Sequence, residues 1–262
     1  MFRCRIETKK FQNLISSIKG LGTACVVAIK QDRLLLSAVG QSSSLWADCL
    51  LSDIDIFVLS GETVYIEIEP RKLEKVFLSV ALCEELFMAV GGCAVGKEMC
   101  FNGTTVSATG HMMKHTHRLR IRALTMDEKT HPNNFAVGES DVSRLLSNTS
   151  GRFFQCVRKM ARLVKTVDVV FRSRDGAVEL YGGYRGTHIH AVFYDTKELK
   201  ASTKESVRLA VDALMLSRAL SYSELIPTGV VLSGADRSFL TVSIYFGSEG
   251  TVSHVIPNSE LY

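Results

Sequence analysis

The sequence predicts an α+β protein made of two tandem domains of similar fold, each with antiparallel sheets and two helices on one face. Three observations support this. The apolar pattern of the first half returns 143 residues later, many short segments have the character of strands, and four segments show the spacing of amphipathic helices. We place the first domain at 1–123, a connector at 124–141 and the second domain at 142–262.

The repeat includes charged as well as apolar residues. Phe11 corresponds to Phe154, and the strand-like run Val64–Glu69 returns as Val207–Asp212. Basic residues recur at the same offset, in the pairs Lys9 with Arg152, Lys19 with Arg162, and Lys75 with Arg218. Folding requires the apolar recurrence, whereas a recurring exposed charge suggests that both halves present one surface to one polyanion.

In the first half, a helix is predicted from Lys9 to Lys19, where Gly20 and Gly22 end it. A second helix is predicted from Pro70 to Leu82, because proline suits the first helical turn. The predicted strands are Phe2–Ile6, Ala24–Lys30, Arg33–Val39, Ser44–Leu50, Ile54–Leu59, Thr63–Glu69, Leu86–Val90, Glu98–Ala108 and Thr116–Ala123.

A polar, turn-rich stretch then leads into the second half. Helices are predicted from Gly151 to Val164 and from Asp212 to Ser221, with Asp212 as N-cap. The predicted strands are Val142–Leu146, Val167–Ser173, Ala177–Tyr181, Thr187–Tyr194, Val207–Val211, Val230–Leu232, Phe239–Phe246 and Thr251–Ile256.

Composition limits the classes of protein to consider. The 262 residues are 46% hydrophobic and carry a formal charge of +4, which permits an acidic partner without requiring one. No apolar run approaches the length of about 18 residues that a membrane span needs, so no membrane partner is expected. Seven cysteines, an odd number without a CxxC pair, predict a reduced intracellular compartment.

The exposed helix faces are the candidate polyanion-binding surface. Lys72 and Lys75 lie opposite Leu73 on one helix, and Lys159 and Arg162 face outward on another. The full set of candidate residues is Lys9, Lys10, Lys19, Arg71, Lys72, Lys75, Arg152, Arg158, Lys159, Arg162, Lys165 and Arg218. Phosphate binding needs flexible cations and no base-reading group. An ordinary solvated helix face is the alternative, and recurrence in both halves favours binding.

Catalytic patterns are weak. His111, His115 and His117 invite a zinc hypothesis, but no cysteine pair or HExxH motif supports it, and a polar turn is the alternative. The chain has no GxSxG, P-loop or GxGxxG motif. The spacing of its carboxylates does not indicate metal binding or acid–base catalysis. We therefore predict no catalytic residue, metal or cofactor. A metal-dependent nuclease that uses the histidines and scattered carboxylates remains the alternative of another class.

The order strand, helix, strands, helix, strands, given twice across a polar connector, resembles the sliding-clamp superfamily typified by proliferating cell nuclear antigen (PCNA). Within it, the chain most resembles the Hus-one-type subunit of the nine-one-one checkpoint clamp. The segments that carry this resemblance are Ser44–Cys49, Val64–Ile68 running into Arg71–Leu73, Asp141–Ser143, Phe154–Leu163, Val192–Tyr194 with Leu199, and Val255–Pro257. The chain departs from the pattern in its mildly basic charge and in Met215, which stands where a cation would be expected.

The resemblance implies a DNA clamp fold and a six-domain ring of three subunits whose helices line a central hole. Such a ring encircles double-stranded DNA without reading sequence, so the candidate cations would be DNA-binding residues. The chain would be a non-enzymatic nuclear subunit with Rad-nine-like and Rad-one-like neighbours. A clamp loader and checkpoint and repair clients would be its further partners. A homotrimeric replicative clamp, acting as a processivity factor, is the alternative.

Two further surfaces are implied by the resemblance. The edges that close the ring would be about His115–Ala123 and Thr187–Tyr194. A client-peptide pocket beside the connector would use Val39, Leu45, Leu124 and Ile256, for which a place in the ordinary core is the alternative.

Overall fold

The chain forms two compact units. The first comprises Met1–Gln41, Trp46–Phe135 and Ser248–Gly250, and the second comprises Ser42–Leu45, Ala136–Gly247 and Thr251–Tyr262. The computed structural model describes residues 2–6, 15, 24–30, 33–39, 44–50, 54–56, 63–83, 85–93, 96–124, 139–146, 150–220, 227–247 and 250–261. Most of the predicted connector at 124–141 lies outside these ranges, so its bounds stay a prediction.

The first unit contributes nine described strands and helix α1 (Pro70–Ser79). The strands are β1 (Phe2–Ile6), β2 (Cys25–Ile29), β3 (Arg33–Val39), β4 (Ser44–Leu50), β5 (Ile54–Ile56), β6 (Val64–Ile68), β7 (Glu85–Cys93), β8 (Gly96–Val106) and β9 (Met112–Ala123). Of the predicted helix Lys9–Lys19, only Ile15 is described, and it is helical and fully buried.

The second unit contributes nine strands and two helices, α2 (Ser150–Met160) and α3 (Ala213–Ala219). The strands are β10 (Val142–Leu146), β11 (Thr166–Arg172), β12 (Val178–Tyr184), β13 (Thr187–Phe193), β14 (Thr196–Lys200), β15 (Ser206–Asp212), β16 (Gly229–Ala235), β17 (Phe239–Tyr245) and β18 (Gly250–Pro257). None of the helices in the described ranges has the length and apolar character that crossing a membrane requires.

The strand order is the same in both units. In the first unit, one series of neighbouring strands is β4-β3-β2-β6 and the other is β5-β1-β7-β8-β9. The corresponding series in the second unit are β13-β12-β11-β15 and β14-β10-β16-β17-β18. The register of one strand pair is also kept, because Cys25 opposite Ala38 becomes Asp168 opposite Tyr181 at the 143-residue offset. This duplicated arrangement of antiparallel strands with helices confirms the predicted fold class.

In the second unit, both helices and the five-stranded sheet cover one face of the sheet β13-β12-β11-β15. Phe153 on α2 packs edge to face on Phe193 of β13, with ring centroids 5.0 Å apart. A β-carbon added at Gly234 on β16 would lie only 3.0 Å from Leu209 Cδ1 and from Phe171 Cε2, so the two sheets pack closely there. The opposite face of the four-stranded sheet, here called the open sheet face, lines a surface cavity together with Ser259 and Glu260.

Local chemistry explains where the elements begin and end. The backbone N–H of Met215 donates to the Asp212 carboxylate at 2.8 Å, which confirms the predicted N-cap of α3. Helix α1 ends at Ser79 rather than at Leu82, and the Val80 N–H bonds to Val76 O. Strand β14 was not predicted, because its sequence, Thr-Lys-Glu-Leu-Lys, has no apolar alternation.

Candidate nucleic-acid interface

Helix α2 is fixed to its unit by a run of large apolar residues. Phe153, Phe154, Val157 and Met160 are at most 5% exposed and recur at helical spacing, so they define one buried face. Val164, in the turns that follow the helix, continues this contact against Gly182 of β12. The opposite face of α2 must therefore point to solvent.

That solvent face, named here together with the turns at 161–165 that follow the helix, carries only positive charge. Arg152, Lys159, Arg162 and Lys165 are exposed, Arg158 is half-buried, and residues 150–165 contain no Asp or Glu. Arg158 and Lys159 occupy the last turn, where cations are favoured by the helix dipole. Within the described residues, none of the four exposed cations forms an ion pair with a carboxylate. The charge is thus available to a polyanion, and binding by these residues stays a prediction.

Helix α1 offers a weaker cationic surface. Arg71, Lys72 and Lys75 are exposed, but Lys72 Nζ lies 2.7 Å from the Glu69 carboxylate, which partly neutralises it. The same helix also exposes Leu78, at 57%. Its surface is therefore mixed rather than uniformly basic.

Of the remaining candidate cations, the structure describes only Arg218. Arg218 is exposed in the last turn of α3, where it is the only basic residue. Met215 beside it is half-buried, so α3 presents one cation. Lys9, Lys10 and Lys19 lie outside the described residues and stay predictions.

The candidate peptide pocket is only partly described. The side chains of Val39 and Leu45 lie outside the described part of the chain. Leu124 is half-buried, and its backbone N–H donates to Tyr65 O at 3.0 Å. Ile256 is 2% exposed and opposite Leu240, which places it in the core of the second unit. The pocket itself stays a prediction.

The histidine cluster departs from the predicted turn at His115, because the strand begins at Met112 rather than at Thr116. His115 and His117 lie within β9, and only His111 precedes the strand. His115 Nε2 is 2.9 Å from the Thr105 hydroxyl, and His117 Nε2 is 3.0 Å from that of Ser79. Among the described residues, no group of three or more His, Cys, Asp or Glu is arranged to hold a metal ion.

Burial makes three of the cysteines, Cys25, Cys83 and Cys156, weak nucleophiles. Burial, and to a smaller extent the nearby Glu67 carboxylate, raises the pKa of Cys25 to about 12. Burial likewise raises the pKa of the Cys83 and Cys156 thiols. These thiols therefore stay protonated and weakly nucleophilic at neutral pH.

One polar cluster escaped the sequence analysis. Glu179, 3% exposed, accepts a hydrogen bond from the Tyr181 hydroxyl and lies 2.7 Å from the Arg172 guanidinium, while His190 stacks on Tyr181 with ring centroids 4.2 Å apart. The hydrogen bond to Glu179 raises the pKa of Tyr181. Strand register brings these groups together on the open sheet face, and register cannot be read from one strand alone.

Two similar units of this strand order, each with helices and antiparallel sheets, constitute the DNA clamp fold. The chain is similar to the crystal structure of PCNA from Thermococcus kodakaraensis, with a TM-score of 0.74 and 13% sequence identity. The similarity covers 98% of this chain and 100% of that one. No protein-family model and no curated protein matches the sequence. The fold is therefore established by three-dimensional similarity rather than by sequence.

Proposed function

We propose that this chain is a non-enzymatic subunit of a ring-shaped sliding clamp that encircles double-stranded DNA. The observation that carries the proposal is the cation-only face of α2 on a clamp fold. Long basic side chains bind phosphates at any sequence, and they can exchange one phosphate for the next. A surface of this kind holds duplex DNA while leaving it able to move.

We further propose a heterotrimeric checkpoint ring that acts at DNA damage sites in the nucleus. Its other subunits would be Rad-nine-like and Rad-one-like proteins, a clamp loader would place it on DNA, and checkpoint and repair proteins would be its clients. The short segments that resemble a Hus-one-type subunit support this choice. The alternative is a homotrimeric replicative clamp, and the mass of the purified chain in solution separates the two. A monomer that assembles only with partners favours the checkpoint ring.

The DNA surface is tested by reversing charge on α2. The variant Lys159→Glu/Arg162→Glu should bind duplex DNA at least about tenfold more weakly near 50 mM salt. Its plot of log affinity against log salt should be shallower by about 2, because each lost phosphate contact removes about 0.9. Fluorescence anisotropy of a labelled duplex measures both quantities on the assembled ring.

The matched control is Arg174→Glu/Lys197→Glu, which makes the same change of charge at two exposed positions outside α2. The control should keep most of the affinity of the unmodified ring. Equal affinity and equal salt slope for the α2 variant and the control would contradict the proposed DNA surface.

A further inference from the structure

The hairpin that joins β12 to β13 closes with a turn of only two residues, Arg185 and Gly186. The last register pair before the turn is Tyr184 opposite Thr187. Both turn residues have a positive φ, 46° at Arg185 and 80° at Gly186. Such turns favour Asn, Asp or Gly, because a larger side chain crowds the backbone in this conformation. The geometry of the turn therefore explains Gly186 but does not explain an arginine at 185.

The tip of this hairpin lies at the end of α2. A β-carbon added at Gly182 on β12 would lie 3.0 Å from Met160 Cε and 3.2 Å from Val164 Cγ2, so Gly182 faces the helix and the turns that follow it. Residues two apart on a strand share a face of the sheet. Tyr184 is therefore on the same face as Gly182 and two residues nearer the tip, which places it beyond the C-terminal end of α2.

The Arg185 side chain is exposed and stacks on its neighbour. Its guanidinium carbon lies 5.1 Å from the centroid of the Tyr184 ring, which places the charge on the α2 side of the sheet. In the part of the chain that the structure describes, no carboxylate pairs with Arg185, and residues 180–194 contain no Asp or Glu. A stacked guanidinium keeps the N–H donors at its edge, and this planar fork matches the oxygens of a phosphate.

A second arginine with positive φ gives an internal comparison. Arg237, in the turn between β16 and β17, has a φ of 56° and is also exposed. Its neighbour Asp236 carries a carboxylate, and the Asp236 backbone N–H donates to the Asp141 carboxylate at 2.7 Å. The two arginines thus share a backbone conformation, but Arg237 lies among acids that repel a phosphate, whereas the hairpin of Arg185 has none.

We infer that Arg185 is a further phosphate contact of the DNA surface, held at the hairpin tip so that it extends the solvent face of α2 past the end of the helix. Its guanidinium would bind one phosphate of the duplex backbone, close to the phosphates bound by Arg162 and Lys165. The inference rests on the proposed DNA-encircling function and adds a contact that neither helix of this unit supplies. The phosphate contact offsets the unfavourable backbone conformation of Arg185.

The variant Arg185→Asn tests the inference, because it removes the charge and asparagine tolerates positive φ. On the assembled ring, the affinity for duplex DNA near 50 mM salt should fall about fivefold. The plot of log affinity against log salt should be shallower by about 0.9, the share of one phosphate contact. Fluorescence anisotropy of a labelled duplex measures both quantities. The matched control Arg237→Asn makes the same change in the same backbone conformation and should alter neither.

Both variants should assemble and unfold thermally like the unmodified protein, since asparagine suits both turns. Equal affinity and equal salt slope for Arg185→Asn and Arg237→Asn would overturn the inference. So would failure of Arg185→Asn to assemble into a ring, because Arg185 would then serve a contact between subunits. Either result leaves the proposed DNA surface standing if Lys159→Glu/Arg162→Glu binds DNA more weakly. Normal DNA binding by that α2 variant contradicts the proposed surface, and the inference with it.

Discussion

The first and second units share one strand order but carry their exposed cations on different elements. In the first unit Lys114, Arg118 and Arg120 are exposed on one face of β9, and in the second the exposed cations lie on helix α2 and the turns that follow it. The buried apolar positions repeat because both units need the same core. The exposed cations, by contrast, differ in their placement between the two units.

Burial at equivalent positions also differs. Gly91 and Gly234 are 143 residues apart, and so are His111 and His254. The second member of each pair is closely packed, whereas a β-carbon at Gly91 would meet nothing within 4 Å and His111 is exposed. The second unit is thus the less tolerant of change. Three predictions test that contrast.

The largest effect is expected at Arg144, whose side chain is fully buried on β10. Its guanidinium donates to the Glu198 carboxylate and, at 3.4 Å, to Arg172 O. Glu198→Ala leaves this buried charge without its counter-ion. The free energy of unfolding should fall by about 3 kcal/mol, at the low end for a broken buried pair because Glu198 is itself half-exposed. Urea denaturation measures the loss, and Lys197→Ala on the same strand should change stability by less than about 0.5 kcal/mol.

The next effect concerns pH. Burial lowers the pKa of His254 to about 3, against about 6.5 when unfolded. The unfolded chain therefore binds the extra proton between these values, and stability falls as pH falls through that window. From pH 7 to pH 5 this one group should cost about 2 kcal/mol. His254→Phe should flatten the pH dependence of urea unfolding. Parallel pH profiles for the wild type and His254→Phe would contradict the assignment.

The smallest of the three effects compares two glycines. Gly234→Ala places a β-carbon 3.0 Å from Leu209 and Phe171 and should lower the free energy of unfolding by about 1 kcal/mol. Gly91→Ala should be neutral or stabilising by about 0.5 kcal/mol, since the site is open and alanine restricts the unfolded chain. Thermal unfolding of the two variants side by side tests this. Equal destabilisation would mean that the two units pack alike.

Much of the fold could be predicted because local patterns and the repeat agree. Val142–Leu146 has the predicted bounds, and Asp212 caps α3 as expected. Strand β14 was missed because its polar sequence gives no period-two signal, although β10 pairs with it. The start of β9 and the end of β12 were also misplaced, since an exposed strand can continue through polar residues wherever a neighbouring strand supplies hydrogen bonds.

The candidate site was predictable only in part. The exposure of Lys159 and Arg162 follows from their helical spacing relative to the buried Phe154 and Val157. The local sequence is therefore enough to predict it. The i,i+3 spacing of Glu69 and Lys72 allows their ion pair but does not require it, so the pair could not be predicted from the sequence. The cluster around Glu179 depends on the register of three strands, which a single sequence does not specify.

The proposal that the ring encircles DNA is tested by comparing how long the ring is retained on circular and on linear DNA. The assembled ring is loaded on nicked circular duplex DNA and washed at a salt concentration that removes phosphate contacts alone. We predict that the ring stays on the circle and is released when the circle is cut to a linear form. Equal retention on circular and linear DNA, or equal loss from both, would contradict the encirclement of DNA by this protein.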